Sequence, residues 1–323
     1  MSVDDAILIG RNEGARIEAS LASLKGQARR IIFVDSGSTD DSVAKARAAG
    51  VEVVELDNSI PHSAARARNA GFAEAMAHDS PPDYVQFIDG DCQTVAGWVA
   101  KGAAFLDANL GHSLVTGWTR EINRDASVYN QMCDVEWLRP AGPIRACSGN
   151  MMVRASAFEQ IGGFNMAVIA AEDDDLCVRL AKAGGKLERI PEDMTRHDAA
   201  TYRFSQWWRR AERTGHGFGQ VGHLHPDYFV RERQRMLIYA LAVPVATLVL
   251  LALIGWPALL LLLIYPLNWW RTAKGLMAEG LPASEARRHA VLLTISKFPN
   301  LQGYLRFHLR RLTGADMRLI EYK

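Results

Sequence analysis

The sequence is poor in the features that would announce a secreted, nucleic-acid-binding or dinucleotide-binding protein. Its four cysteines, Cys92, Cys133, Cys147 and Cys177, form no C-x-x-C pair and no tight cluster among the 323 residues. That pattern suits a reducing compartment rather than a disulfide scaffold. The formal net charge is only +1, so no global field draws the chain to nucleic acid, which is not an expected partner. Asp4 and Asp5 stand where a secretory signal would carry a basic region and an apolar core, so export is not expected. No G-x-G-x-x-G follows the first apolar strand, which speaks against a nicotinamide-dependent oxidoreductase. Neither an internal repeat nor a low-complexity linker is present.

Charge is missing altogether from one long segment. Between Met236 and Leu267 there is no Asp, Glu, Lys or Arg, and Leu, Ile, Val and Ala dominate. Such a run is a membrane signal. It is too long for one upright crossing, and Gly255, Trp256 and Pro257 interrupt it where a helix would kink or turn. A hydrophobic helical hairpin is therefore expected over 236–267. Arg231, Arg233 and Arg235 precede it and Arg271 and Lys274 follow it, so the positive-inside rule places both flanks in the cytoplasm. Two true crossings and a shallow re-entrant hairpin both fit, as does a core hairpin of a soluble domain. Residues 282–323 form a basic, helix-compatible end with Arg287, Arg288, Arg306, Arg310 and Arg311, suited to anionic lipid headgroups or to solvent.

The N-terminal part alternates apolar strands with helical patterns. Strands are read at 6–9, 31–34, 51–55 and 84–88, with helices beginning near Ala15, over 42–49 and over 63–76. This order predicts an α/β fold with a mostly parallel sheet covered on both faces, in which ligands sit beyond the carboxyl ends of the strands. A catalytic domain over 1–225 and a membrane-associated tail over 226–323 are expected. The middle, from Trp98 to Arg145, is less legible; helices and an antiparallel or irregular insertion are expected, with Trp118, Arg120 and Trp137 as unassigned contacts.

Four constellations carry chemistry. Asp89 and Asp91 flank Gly90 at the end of a buried strand, and paired oxygen ligands there suit Mg²⁺ or Mn²⁺, a cation able to bridge a diphosphate. In VDSGSTD, Asp35 ends a strand, and Ser38 and its small neighbours offer hydrogen-bonding groups to a nucleoside and its phosphates; the same residues also suit a helix cap. AARARNAG brings Arg66 and Arg68 onto a helix, where an i, i+2 pair cannot share a face, so at most one points inward. Glu172, Asp173, Asp174 and Asp175 open a further helix. A helix dipole favours acids there, but four in a row repel one another and can raise one carboxyl toward general-base duty. Asn150, in SGNM, and the loop Gly162-Gly163-Phe164 are able to shape an acceptor cleft.

Taken in order, ILIGRNE, VDSGSTD, ARNAG, DGD, SGNMMVR with GGF, and EDDDL resemble a family 2 glycosyltransferase of the GT-A fold, of the membrane-associated bacterial type, over roughly Ala6 to Gly219. The resemblance implies an inverting transfer from a nucleoside diphosphate sugar. It places Asp35 near the base, Asp89 and Asp91 at the cation and diphosphate, Asp173 as catalytic base, and Glu172 beside the acceptor. His197 resembles the histidine that some members place near the metal or diphosphate. Two departures stand out: Ser36 occupies the place of a second acid in the nucleotide motif, and Arg210 replaces the final Trp of Q-x-x-R-W, leaving Gln206 and Arg209 near the acceptor or diphosphate. One apolar hairpin is too little to thread a polymer, so single addition to a lipid-linked or glycan acceptor at the cytoplasmic (inner) membrane is expected, with the catalytic domain facing the cytoplasm. A non-catalytic membrane scaffold that binds nucleotide sugar is the alternative. A sugar nucleotidyltransferase should open with G-x-G-T-R, where residues 9–14 read IGRNEG.

Overall fold

The structure is a computed structural model that describes residues 4–317. The extreme ends of both expected domains, 1–3 and 318–323, lie outside the described residues. The chain divides into two compact units, one formed by the residues up to Arg124 together with Cys133–Ala200, the other by Asp125–Met132 and the residues from Thr201 onward. The boundary read from the sequence, at 225, falls instead just past the first long helix of the second unit.

The first unit is a nine-stranded mixed sheet. Strands β1 (Asp4–Gly10), β2 (Arg30–Asp35), β3 (Glu52–Glu55) and β4 (Tyr84–Asp89) run parallel in the order β3-β2-β1-β4. Ile7, Leu8, Ile32, Phe33, Phe87 and Ile88 are completely buried, as strands covered on both faces require. Helices α1 (Ile17–Leu24) and α2 (Ser42–Ala48) and helix α3 (Ala64–Ala77) join them, with separate apolar clusters around Phe33 and around Phe87. Gly71 lets α3 lie close on the sheet, because a Cβ there would stand 2.4 Å from Ile7 Cγ2. Ser63 caps α3 by accepting the Arg66 N–H.

Beyond β4 the sheet continues through the segment that the sequence left obscure. After the short strand β5 (Cys92–Thr94), helix α4 (Trp98–Ala108) leads to β6 (His112–Glu121). Helix α5 (Val128–Trp137), β7 (Gly142–Pro143), β8 (Met151–Arg154), α6 (Ala155–Gln160), α7 (Glu172–Lys182) and β9 (Lys186–His197) follow. The order from β4 is β8-β6-β9-β5, with β8 antiparallel to its neighbours, β6 parallel to β9 and β7 on β9. Strand β9 is 12 residues long. Its ladder on β6 shifts between Arg189 and Asp193, bracketing Pro191, which has no N–H to give.

The second unit is helical: α8 (Phe204–Leu224), α9 (Val230–Leu237), α10 (Val243–Ile254), α11 (Ile264–Ala278), α12 (Ala283–Ile295) and α13 (Lys297–Thr313). Helices α8 and α13 approach backbone to backbone, since a Cβ on Gly303 would sit 1.9 Å from Glu212 O. Val230–Ile254 forms a continuous 25-residue helical stretch, the candidate membrane span among the described residues, with 17% of its most apolar window buried. A π-helical turn at Ile238–Ala242 precedes Pro244, whose ring excludes the regular bond to Ala240 O. Trp256–Leu263 continues as a 3₁₀ segment after Gly255, and the Tyr265 hydroxyl donates to Tyr239 O at 2.6 Å.

Candidate active site

The candidate side chains of the first unit gather around the carboxyl ends of β2 and β4. Asp35, the last residue of β2, is 2% exposed. Its Oδ2 accepts the N–H groups of Gly37 and Ser38, each at 2.9 Å, and its Oδ1 accepts the Ser38 hydroxyl at 2.5 Å. A carboxylate has about four acceptor positions, so about one remains for a ligand N–H. Ser38 also accepts the Asn12 N–H, and Asn12 Oδ1 accepts the Thr39 N–H at 2.8 Å. Asn12, which the sequence reading did not single out, thus ties the β1 loop to the β2 loop. Its backbone is left-handed, φ 58°, a conformation that Asn tolerates better than most side chains. Asp40 accepts the N–H and hydroxyl of Ser42, while the N-cap of α2 is Asp41, which makes no side-chain cap bond.

Arg68 is the electrostatic centre. It is 2% exposed, donates to Glu172 Oε1 at 2.9 Å and Asp89 Oδ1 at 2.7 Å, and lies over the Phe164 ring. Burial works against its charge, but Asp89, Glu172 and Asp173 outweigh it and push its pKa up. Gly149 makes this possible: a Cβ there would lie 1.9 Å from Arg68 Nη2. Asn150 Oδ1 accepts the Asp89 N–H at 2.9 Å, and Asn69 bonds both N–H and C=O of Phe164 at 2.8 Å. Arg66 points elsewhere, donating to the carbonyls of Asp57 and Ile60.

Asp91 and His197 meet on the far side of Gly90. Asp91 Oδ2 stands 3.2 Å from His197 Nε2. That nitrogen is buried and lacks the in-line geometry of a hydrogen bond, while Trp137 stacks on the imidazole at 4.5 Å and 17°. A buried imidazole nitrogen beside a carboxylate oxygen is a donor set that fits a divalent cation. Asp89, already held by Arg68, keeps a partly exposed carboxylate toward the same crest.

The acids of α7 divide their work. Glu172 accepts from Arg68, and Asp175 is buried and bonded to Arg179 Nε at 2.8 Å. Asp173 is left beside Glu172 and Asp174. Burial first, then those two charges, raise its pKa well above the ordinary carboxylate value, with Arg68 opposing. A raised carboxyl holds a proton more firmly than an ordinary one. Gln206 lies in the second unit, where it caps α8 by accepting the N–H groups of Tyr202 and Arg203; Arg209 is exposed on the same helix.

Two family descriptions match this chain: glycosyl transferase family 2 over residues 5–162, and glycosyl transferase family group 2 over residues 94–278, more than half of it. The chain belongs to the family 2 glycosyltransferases. Among curated proteins, the pre-mycofactocin glycosyltransferase of Mycobacterium tuberculosis is 28% identical over 240 residues, covering 67% of this chain and 47% of that protein. The chain thus spans about half the length of the curated relatives it matches. Among solved structures, the mannosyltransferase PcManGT of Pyrobaculum calidifontis, in complex with GDP-Man and Mn²⁺, has a TM-score of 0.63 at 18% identity, covering 94% of this chain and 87% of that one. Glucosyl-3-phosphoglycerate synthase of M. tuberculosis, with Mn²⁺, UDP-glucose and phosphoglyceric acid, has a TM-score of 0.51 at 17% identity, covering 69% and 79%. The sheet of this family 2 glycosyltransferase is accordingly a Rossmann-like GT-A sheet.

Proposed function

We propose that the chain moves one sugar, with inversion, from a nucleoside diphosphate sugar to a lipid-linked or polysaccharide-precursor acceptor. The reading rests on one observation: within the first unit, Asp35, Arg68, Asp89, Asp91 with His197, and Glu172 with Asp173 converge on the crest of a GT-A sheet. Curated relatives are glycosyltransferases, and the structural neighbours named above hold nucleotide sugars with Mn²⁺. In this reading Asp35 takes a donor N–H of the base, and Ser38 frames the pocket. Asp91 and His197 hold a divalent cation, Mg²⁺ or Mn²⁺, with Asp89 beside it, and Asp89 and Arg68 face the diphosphate. A bound divalent cation supplies positive charge to the departing diphosphate. Asp173 removes the acceptor hydroxyl proton as that oxygen attacks the anomeric carbon opposite the leaving group, and Glu172 with Asn150 shapes the acceptor side. Arg66 acts through the 57–60 loop, and Gln206 and Arg209 are assigned to the acceptor or diphosphate.

The tail supports a membrane-borne acceptor. Leu248, Leu253, Trp256 and Leu263 are each more than 60% exposed, which water does not favour and a bilayer does. We place the enzyme on the cytoplasmic membrane with residues 1–225 catalytic and facing the cytoplasm, and with 226–323 seated in or on the bilayer. The test is transfer of radiolabelled sugar to membrane lipid extracts by wild type and Asp173→Asn. Product with the wild type and a loss of about 10²-fold or more in the variant, with donor binding retained, supports the reading; equal transfer by both removes Asp173 as base.

A further inference from the structure

Cys92 stands beside the cation site and has no part in the family chemistry described above. It lies directly opposite His197 in the antiparallel β5–β9 pair, and opposed residues project from the same face of a sheet. Its Sγ is 3.6 Å from Asp91 Oδ1, and Asp91 Oδ2 is 3.2 Å from His197 Nε2. The three donor atoms lie within 4.8 Å of one another. With metal bonds of about 2.0–2.3 Å, the ligands of a tetrahedral site stand roughly 3.3–3.7 Å apart, so a closure of about 1 Å brings the three donors onto one ion. Asn150 gives its carbonyl oxygen to the Asp89 N–H at 2.9 Å, which turns its NH₂ group to Cys92 Sγ at 3.3 Å and fixes the position of the sulfur.

We propose that Cys92 is a third donor of this site, so that the site takes thiophilic divalent ions, Zn²⁺, Co²⁺ or Cd²⁺, in preference to Mg²⁺. The inference rests on the reading of Asp91 and His197 as cation ligands. The cation binds the Asp91 carboxylate, the neutral His197 imidazole and the Cys92 sulfur; as the metal–sulfur bond forms, the thiol proton passes to solvent. Magnesium asks for near-octahedral oxygen coordination and gains little from sulfur. Oxygen-preferring ions still bind through Asp91 with water and the donor's phosphates, whereas a sulfur-bound ion holds the site more tightly and competes with them.

The test uses the full chain, reduced and in detergent, carrying Cys147→Ser and Cys177→Ser, because those two sulfurs lie 3.8 Å apart and offer a competing thiol pair. Cd²⁺ or Co²⁺ is titrated while thiolate-to-metal charge-transfer absorption is read, and Mn²⁺ binding is followed separately by electron paramagnetic resonance. One equivalent of charge-transfer signal is expected, lost in Cys92→Ser and Cys92→Ala, with Cd²⁺ affinity falling about tenfold or more and Mn²⁺ affinity changing far less. Two variants guard against a folding defect in one of them. Stoichiometric Cd²⁺ binding without the absorption band, or a band that survives both variants, overturns the proposal. Failure of Mn²⁺ as well as Cd²⁺ to bind the parent chain overturns the cation-site reading on which it rests.

Discussion

The crest of the sheet and the helical stretch from 230 to 263 break the ordinary rule of burial in opposite directions. At the crest, charge is inside: Asp35, Arg68, Asp91 and Glu172 are all under 10% exposed. In the helical stretch the apolar groups are outside, with Trp256 74% and Leu253 72% exposed. Each arrangement is costly in isolation, because buried charge needs partners and exposed leucine gains nothing from water. Sequences violate such rules mainly where function demands it. The first region pays within itself, charge against charge; the second leaves its cost to be met by a bilayer.

The largest effect should come from breaking the first balance. Arg68→Met removes the shared partner of Asp89 and Glu172 and leaves them uncompensated. Loss of one partner from a buried pair costs about 3–5 kcal/mol, so thermal unfolding in detergent should fall sharply and donor affinity with it. An unchanged melting temperature would show that those acids need no counter-charge. The second region breaks differently. Leu253→Glu with Trp256→Glu should release the chain from vesicles in a flotation assay, at about 2.5–3.5 kcal/mol for each charge driven toward the bilayer centre, while donor binding stays intact. Retention on vesicles would return the stretch to the status of a soluble hairpin.

The smallest effect sharpens the account of α7. Asp174 helps to hold the Asp173 pKa up, and a base acts only once deprotonated, so activity rises with pH through that raised value. Asp174→Asn should therefore move the acidic limb of the rate profile to lower pH. The same shift has a cost in stability. Below the ordinary carboxylate range Asp173 is protonated in both states and costs nothing; as pH rises, the unfolded chain ionises first, and the penalty grows until the raised folded value is passed. Asp173→Asn should then raise the melting temperature at neutral pH by about 2–4 °C; a lower one would contradict the raised pKa.

Much of the parallel half of the sheet was legible because its strands are short apolar runs that end in polar turns, as at Phe33 to Asp35 and Phe87 to Asp89. Strands β6 and β9 were not, since each depends on a partner more than 60 residues away and on a shifted ladder around Pro191. At the site, the acids were visible as residue types at strand ends. The partners that tune them were not. Nothing in the spacing of ARNAG shows that Arg68 rather than Arg66 turns inward, and Gly149 acquires its meaning only when Arg68 is seen to occupy the space its missing side chain leaves. Trp137 and Cys92 reach His197 through tertiary contact alone.

The central claim is that the buried charges of the crest hold a nucleoside diphosphate sugar together with a divalent cation. The most direct test is calorimetric binding of UDP-, GDP- and dTDP-sugars to wild type and Asp91→Ala, with Mn²⁺ or with EDTA. The account predicts that one donor class binds wild type with Mn²⁺, and that this binding is lost in EDTA and in the variant. Absence of binding by every donor, or binding indifferent to both the cation and Asp91, would contradict it.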